Sequence, residues 1–116
     1  MCLKSDIGLI GLGVMGRNLV LNMERNGYRV TVYNRTPAIT ERFIVGEAKG
    51  RERITGAYSL KELVDGLESP RLIMLMVKAG EAVEEVIRRL LPYLDQGDII
   101  IDGGISYFKD IILRSE

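Results

Sequence analysis

Short apolar runs alternate with segments of helical period from one end of this 116-residue chain to the other, and that alternation constrains the fold more than any other feature. Asp6 to Ile10 reads as a buried strand, and a helix follows from about Val14 to Asn26. Leu12, Met15, Leu19 and Met23 recur at steps of three or four residues, which predicts one apolar face. Gly27 stands where a helix ends in the left-handed region. Arg29 to Tyr33 is β-branched and aromatic, a second strand. Thr36 before Pro37 predicts an N-cap and first helical position, with the helix running toward Val45. Glu47 to Arg53 reads as a loop and Ile54 to Ala57 as a short strand.

Ser59-Leu60-Lys61-Glu62 has the spacing of a capping box at the next helix start. Leu72 to Val77 is a continuous apolar run, as in a strand covered on both faces. Val83, Val86, Ile87, Leu90, Leu91 and Leu94 form the apolar stripe of another helix, and Ile99 to Ile101 is a further buried strand closed by Asp102-Gly103-Gly104. The segment from Tyr107 to Glu116 reads as the start of one more helix. The sum is β-α-β-α-β-α-β-α-β, which predicts an α/β fold of the Rossmann type. It is doubly wound, with a mainly parallel sheet, right-handed crossovers and helices on both faces. The length suits one domain.

Composition narrows the chemistry. Sixteen basic and sixteen acidic residues cancel, which argues against a general nucleic-acid or anionic-membrane binder. Histidine is absent and Cys2 is the only cysteine, so the usual metal-ligand and Cys/His nucleophile sets are excluded, and the expectation is no metal. No apolar run approaches the length of a membrane span and no leader is evident, so the expected setting is cytoplasmic. The methionines read as core.

The chemistry-bearing motif is Gly11-Leu12-Gly13-Val14-Met15-Gly16, a G-x-G-x-x-G between a strand and a helix. Gly11 allows the tight turn, Gly13 lets backbone approach phosphate oxygens, and Gly16 allows close packing of helix on sheet. The helix start then faces the pyrophosphate of a dinucleotide with free N–H groups and a positive dipole end. After the second strand, where NAD sites place an acid for the ribose 2′-hydroxyl, the chain has Asn34-Arg35-Thr36. Arg35 offers a guanidinium for charge-assisted bonds to a 2′-phosphate, and Thr36 and the helix start add donors, so the expected cofactor is NADP.

These motifs, with Glu47-Ala48-Lys49-Gly50, Val77-Lys78-Ala79-Gly80 and Gly97-Asp98-Ile99-Ile100-Ile101-Asp102-Gly103-Gly104, together resemble the N-terminal domain of decarboxylating 6-phosphogluconate dehydrogenases over nearly the whole chain. The resemblance implies NADP-dependent oxidation of 6-phosphogluconate with loss of carbon dioxide to give ribulose 5-phosphate, in an enzyme that is typically a homodimer. It implies that Gly11, Leu12, Gly13, Val14, Met15 and Gly16 hold the pyrophosphate, and that Asn34, Arg35 and Thr36 hold the 2′-phosphate. Val77, Lys78 and Ala79 would line the cofactor cleft.

The chain departs from the family in three ways. Gly13 replaces a usual alanine, which should be harmless. Ile105 stands where the family has an asparagine that touches nicotinamide and substrate, and an isoleucine offers no amide donor or acceptor. The family's substrate loop, general base and helical domain are not among residues 1–116, so these residues are expected to bind NADP without turnover and to include no catalytic residue. Two alternatives share part of the pattern. One is a β-hydroxyacid dehydrogenase of the 3-hydroxyisobutyrate type, which has the same glycine loop and Asn-Arg-Thr turn. The other is a nonenzymatic nucleotide-binding fragment.

Overall fold

The structure, a computed structural model, describes residues 4–77, 81–102 and 109–112. Strand β1 (Ile7–Ile10) leads into α1 (Val14–Arg25), and β2 (Val30–Tyr33) into α2 (Pro37–Val45). They are followed by β3 (Ile54–Ala57), α3 (Leu60–Asp65), β4 (Leu72–Leu75) and α4 (Glu81–Leu90). A 3-10 turn (Leu91–Tyr93), β5 (Ile99–Asp102) and β6 (Lys109–Ile112) complete the order. The strands form one sheet in the order β3-β2-β1-β4-β5-β6. The first five are parallel, and β6 runs antiparallel to β5.

This order is what right-handed crossovers give when the chain winds outward from β1 to β3 and then returns to start again at β4. The two halves put their helices on opposite faces. Leu9, Val20, Val32 and Phe43 pack in the layer under α1 and α2. Ile10, Leu63, Ile73 and Leu90 pack in the layer under α3 and α4. Adjacent residues Leu9 and Ile10 belong to different layers because successive strand side chains point to opposite faces.

Three local expectations need correction. The segment after Tyr107 is not a helix where it is described: Lys109–Ile112 is β6, paired with β5. Its apolar residues fit either element, and the unpaired edge of β5 decides in favour of a strand. In α1 the buried residues are Gly16, Val20 and Glu24. Leu19 and Met23 are half-buried, and Met15 is exposed, so the methionines are not all core. The close approach of Gly16 to the sheet turns the helix away from its larger side chains. Leu91 leaves the α4 stripe: it opens the 3-10 turn with Pro92 behind it and is exposed.

Capping also differs in detail. Ser59 Oγ accepts from the Glu62 N–H at 3.0 Å, but Glu62 Oε1 takes the N–H of Tyr58 rather than that of Ser59. Thr36 occupies the N-cap position of α2 with Pro37 at the first turn, yet its hydroxyl makes no capping bond. Gly27 does adopt positive φ, at +97°.

At the amino edge of the sheet a polar cluster closes the start of β4 and β5. Asp98, 1% exposed, accepts from the Arg71 N–H at 2.7 Å and the Asp95 N–H at 2.8 Å. It also accepts from Arg71 Nη1 at 3.1 Å. Burial pushes the Asp98 carboxyl up, but these donors together hold it below its ordinary value. Arg71 further reaches Asp95 and the carbonyl of Val64.

Candidate cofactor site

At the carboxyl edge, β1, β2 and β4 end side by side. Gly11 N–H donates to the Tyr33 carbonyl at 2.9 Å, and Met76 N–H donates to the Ile10 carbonyl at 2.7 Å. β1 and β4 are the strands from which the chain winds in opposite directions, so a crevice opens beyond their ends.

The glycine turn is built for that crevice. Gly11 has φ +107°, and a Cβ on it would collide with the Met76 carbonyl oxygen. A Cβ on Gly16 would collide with the Gly11 carbonyl oxygen. Gly13 is different: its φ of −74° suits any residue and a Cβ there meets nothing within 4 Å. No side chain caps α1. Among the described residues the N–H groups of Val14, Met15 and Gly16 find no acceptor. They point at a position where an anion would complete the helix start. Val14 and Met15 are 65% and 63% exposed beside them. The turn thus has both the backbone clearance and the free donors that a pyrophosphate needs.

Asn34 ties the end of β2 to this turn. Its Oδ1 accepts the Leu12 N–H at 2.8 Å, and its own N–H donates to Thr40 Oγ1 at 3.2 Å. Its oxygen is thus committed to positioning the turn, and its amide nitrogen, 3.5 Å from the Thr36 carbonyl, is the group left to carry the expected phosphate contact. Arg17 braces the turn from α1, donating from Nη1 to the Leu12 carbonyl at 3.3 Å. Its Nε lies 3.1 Å from Glu47 Oε1, out of line for a hydrogen bond.

A cleft of about 230 Å³ opens between these strand ends. Ile10, Gly11, Tyr33, Asn34 and Arg35 line it from β1 and β2, joined by Leu60 and Val77. Glu85, Val86 and Arg89 line it from α4. Arg35 is exposed at its rim, as is Thr36 beyond it. The structure therefore brings Gly11, Asn34, Arg35 and Val77 together, and the rest of the glycine turn directly follows Gly11. Lys78, Ala79 and Ile105 lie outside the described residues. The sequence reading missed Glu85 and Arg89, whose only signal was their four-residue spacing on the polar side of α4. It also missed the Asn34–Leu12 bond, which joins residues far apart in sequence.

Residues 6–116 match the family model described as the NAD binding domain of 6-phosphogluconate dehydrogenase. The chain belongs to that family. A decarboxylating 6-phosphogluconate dehydrogenase of Candida albicans is 61% identical over 113 residues, covering 97% of this chain and 22% of that protein. The Bacillus subtilis relative, named as NADP(+)-dependent and decarboxylating, is 52% identical over 113 residues, or 97% of this chain and 24% of its own length. The chain thus spans less than a quarter of the length of these relatives.

Plasmodium falciparum 6-phosphogluconate dehydrogenase, solved in its apo form and in complex with NADP+ and with 6-phosphogluconate, superposes with a TM-score of 0.76. It is 44% identical, and the match covers 88% of this chain and 22% of that one. A 3-hydroxyisobutyrate dehydrogenase of Mycobacterium tuberculosis, at 19% identity and a TM-score of 0.69, shares the fold. Among the alternatives read from the sequence, the family match favours the 6-phosphogluconate enzymes.

No helix among the described residues is long and apolar enough to cross a membrane.

Proposed function

We propose that residues 1–116 are the NADP-binding domain of a decarboxylating 6-phosphogluconate dehydrogenase. The observation that carries the cofactor choice is Arg35. It lies just past the carboxyl end of β2, exposed on the rim of the cleft, next to position 34, where an NAD site would have a carboxylate to accept from a ribose hydroxyl. A 2′-phosphate gains a charge-assisted bond from that guanidinium. The glycine turn fits the pyrophosphate through the clearance at Gly11 and Gly16 and the free N–H groups of Val14, Met15 and Gly16. Asn34 acts on the same ligand by holding the turn in place. Val77 lines the cofactor side of the cleft, and the family resemblance gives Lys78 and Ala79 the same role.

When bound, NADP supplies the nicotinamide carbon that accepts hydride. The substrate carbon must also be held against it, with a base for the hydroxyl proton. The family resemblance puts those groups outside residues 1–116, and on that reading the 116 residues hold the cofactor without turning substrate over. The same reading carries a homodimer, as the family resemblance implies, and the cytoplasmic setting expected from the sequence.

Calorimetric titration tests the proposal. NADP should bind more tightly than NAD, and Arg35→Ala should remove most of that preference. Equal or undetectable binding of both would leave only the fold. Steady-state NADPH production from 6-phosphogluconate by the 116-residue chain would contradict the division of labour.

A further inference from the structure

The cleft contains a second cation with no assigned role. Arg89, in the last turn of α4, lines the same space as Arg35. Glu85 stands one turn earlier on the same helix, the favourable arrangement for an ion pair with Arg89. Its Oε2 goes instead to Arg88 Nη1, at 3.4 Å. Among the described residues neither Arg89 nor Arg35 has a carboxylate partner. Two arginines lining one small cleft bring like charges to it, and an anion bound there is attracted by both.

The volume says how much of a ligand is involved. At about 230 Å³ the cleft falls below the roughly 300–1,000 Å³ of a site for a whole drug-sized ligand, so it takes one end of a dinucleotide. Ile10, Leu60 and Val86 give that end an apolar wall suited to the face of a base. Arg35 and Arg89 supply charge for a phosphate attached to its sugar.

We propose that Arg89 is a second specificity-determining residue, acting with Arg35 on the phosphate monoester of the adenosine ribose. This rests on the reading of the cleft as an NADP site. Glu85 opposes it: its carboxylate also lines the cleft and is only partly neutralised by Arg88.

The test is the affinity of the 116-residue chain for NADP and for NAD, in wild type, Arg89→Gln, Arg89→Lys, Glu85→Gln and Arg35→Ala. Glu84→Gln, exposed on α4 away from the cleft, serves as the control. Arg89→Gln should weaken NADP about threefold to tenfold, the scale of one charge-assisted contact in a partly solvated site, and NAD by less than about twofold. Arg89→Lys should fall between, because a lysine keeps the charge but not the planar fork. Glu85→Gln should tighten NADP by about twofold, with NAD unchanged. Equal loss for the two cofactors, or no loss in Arg89→Gln, overturns the assignment of Arg89. In that event, an NADP preference in wild type that disappears in Arg35→Ala leaves the cofactor reading standing. A wild type without that preference overturns the cofactor reading itself.

Discussion

The two edges of the sheet are finished in opposite ways. At the amino edge Asp98 and Arg71 face each other with their hydrogen-bonding capacity largely spent on one another, on Asp95 and on nearby backbone. At the carboxyl edge the start of α1 keeps three N–H groups without an acceptor among the described residues, and Arg35 stands exposed without a carboxylate. Polar groups satisfied within the chain hold the fold together; polar groups left open are available to a ligand. The first edge should therefore answer to changes in stability, and the second to changes in binding.

Asp98→Ala should break that division most severely if it is wrong. Removing the carboxylate leaves the largely buried Arg71 guanidinium without its inner partner, at a cost of about 3 kcal/mol in urea unfolding. The NADP affinity of the folded fraction should stay within about twofold of wild type. Arg35→Ala is the mirror experiment. It should cost NADP binding about 1.5 kcal/mol, or roughly tenfold, while unfolding free energy moves by less than about 0.5 kcal/mol. A large stability loss in Arg35→Ala would show that the open edge also carries the fold.

Acid sharpens the comparison further. The folded Asp98 carboxyl lies below its ordinary value, so the unfolded chain takes up the proton first as pH falls. The stabilisation is fully present above about pH 4, the unfolded carboxylate value, and is lost as pH drops through the folded one. Asp98→Asn should flatten that acid limb in pH-dependent unfolding, whereas Arg35→Ala should leave its slope unchanged. The smallest effect belongs to Gly13→Ala. With ordinary φ and open space around its Cβ, the substitution should leave stability unchanged or raise it by up to about 0.5 kcal/mol, measured by thermal unfolding.

Much of this was legible in the sequence because the signals are local. The glycine turn, the β-branched run to Tyr33, Pro37 and the strand from Ile54 to Ala57 each declare themselves within a few residues, and the structure places elements there. What escaped is decided between distant segments. The rotation of α1 onto Gly16, Val20 and Glu24 follows from its contact with the sheet. Glu24 is buried because Arg51 and Arg53 come across from the loop after α2, at 2.8 and 3.4 Å. β6 exists because β5 offers it an edge. Arg89 joins the cleft only once α4 is laid beside the ends of β1 and β2.

The bond from Leu12 N–H to Asn34 Oδ1 has a bearing on how such a domain changes its preference over evolutionary time. An acid at the end of β2 is the usual route toward the other cofactor, and position 34 is where it would arrive. Aspartate there keeps an oxygen for the Leu12 N–H, so the turn survives the exchange; alanine or lysine would release it. Position 34 thus favours replacements that still accept a hydrogen bond from the loop. A single tether of this kind channels which substitutions can come first.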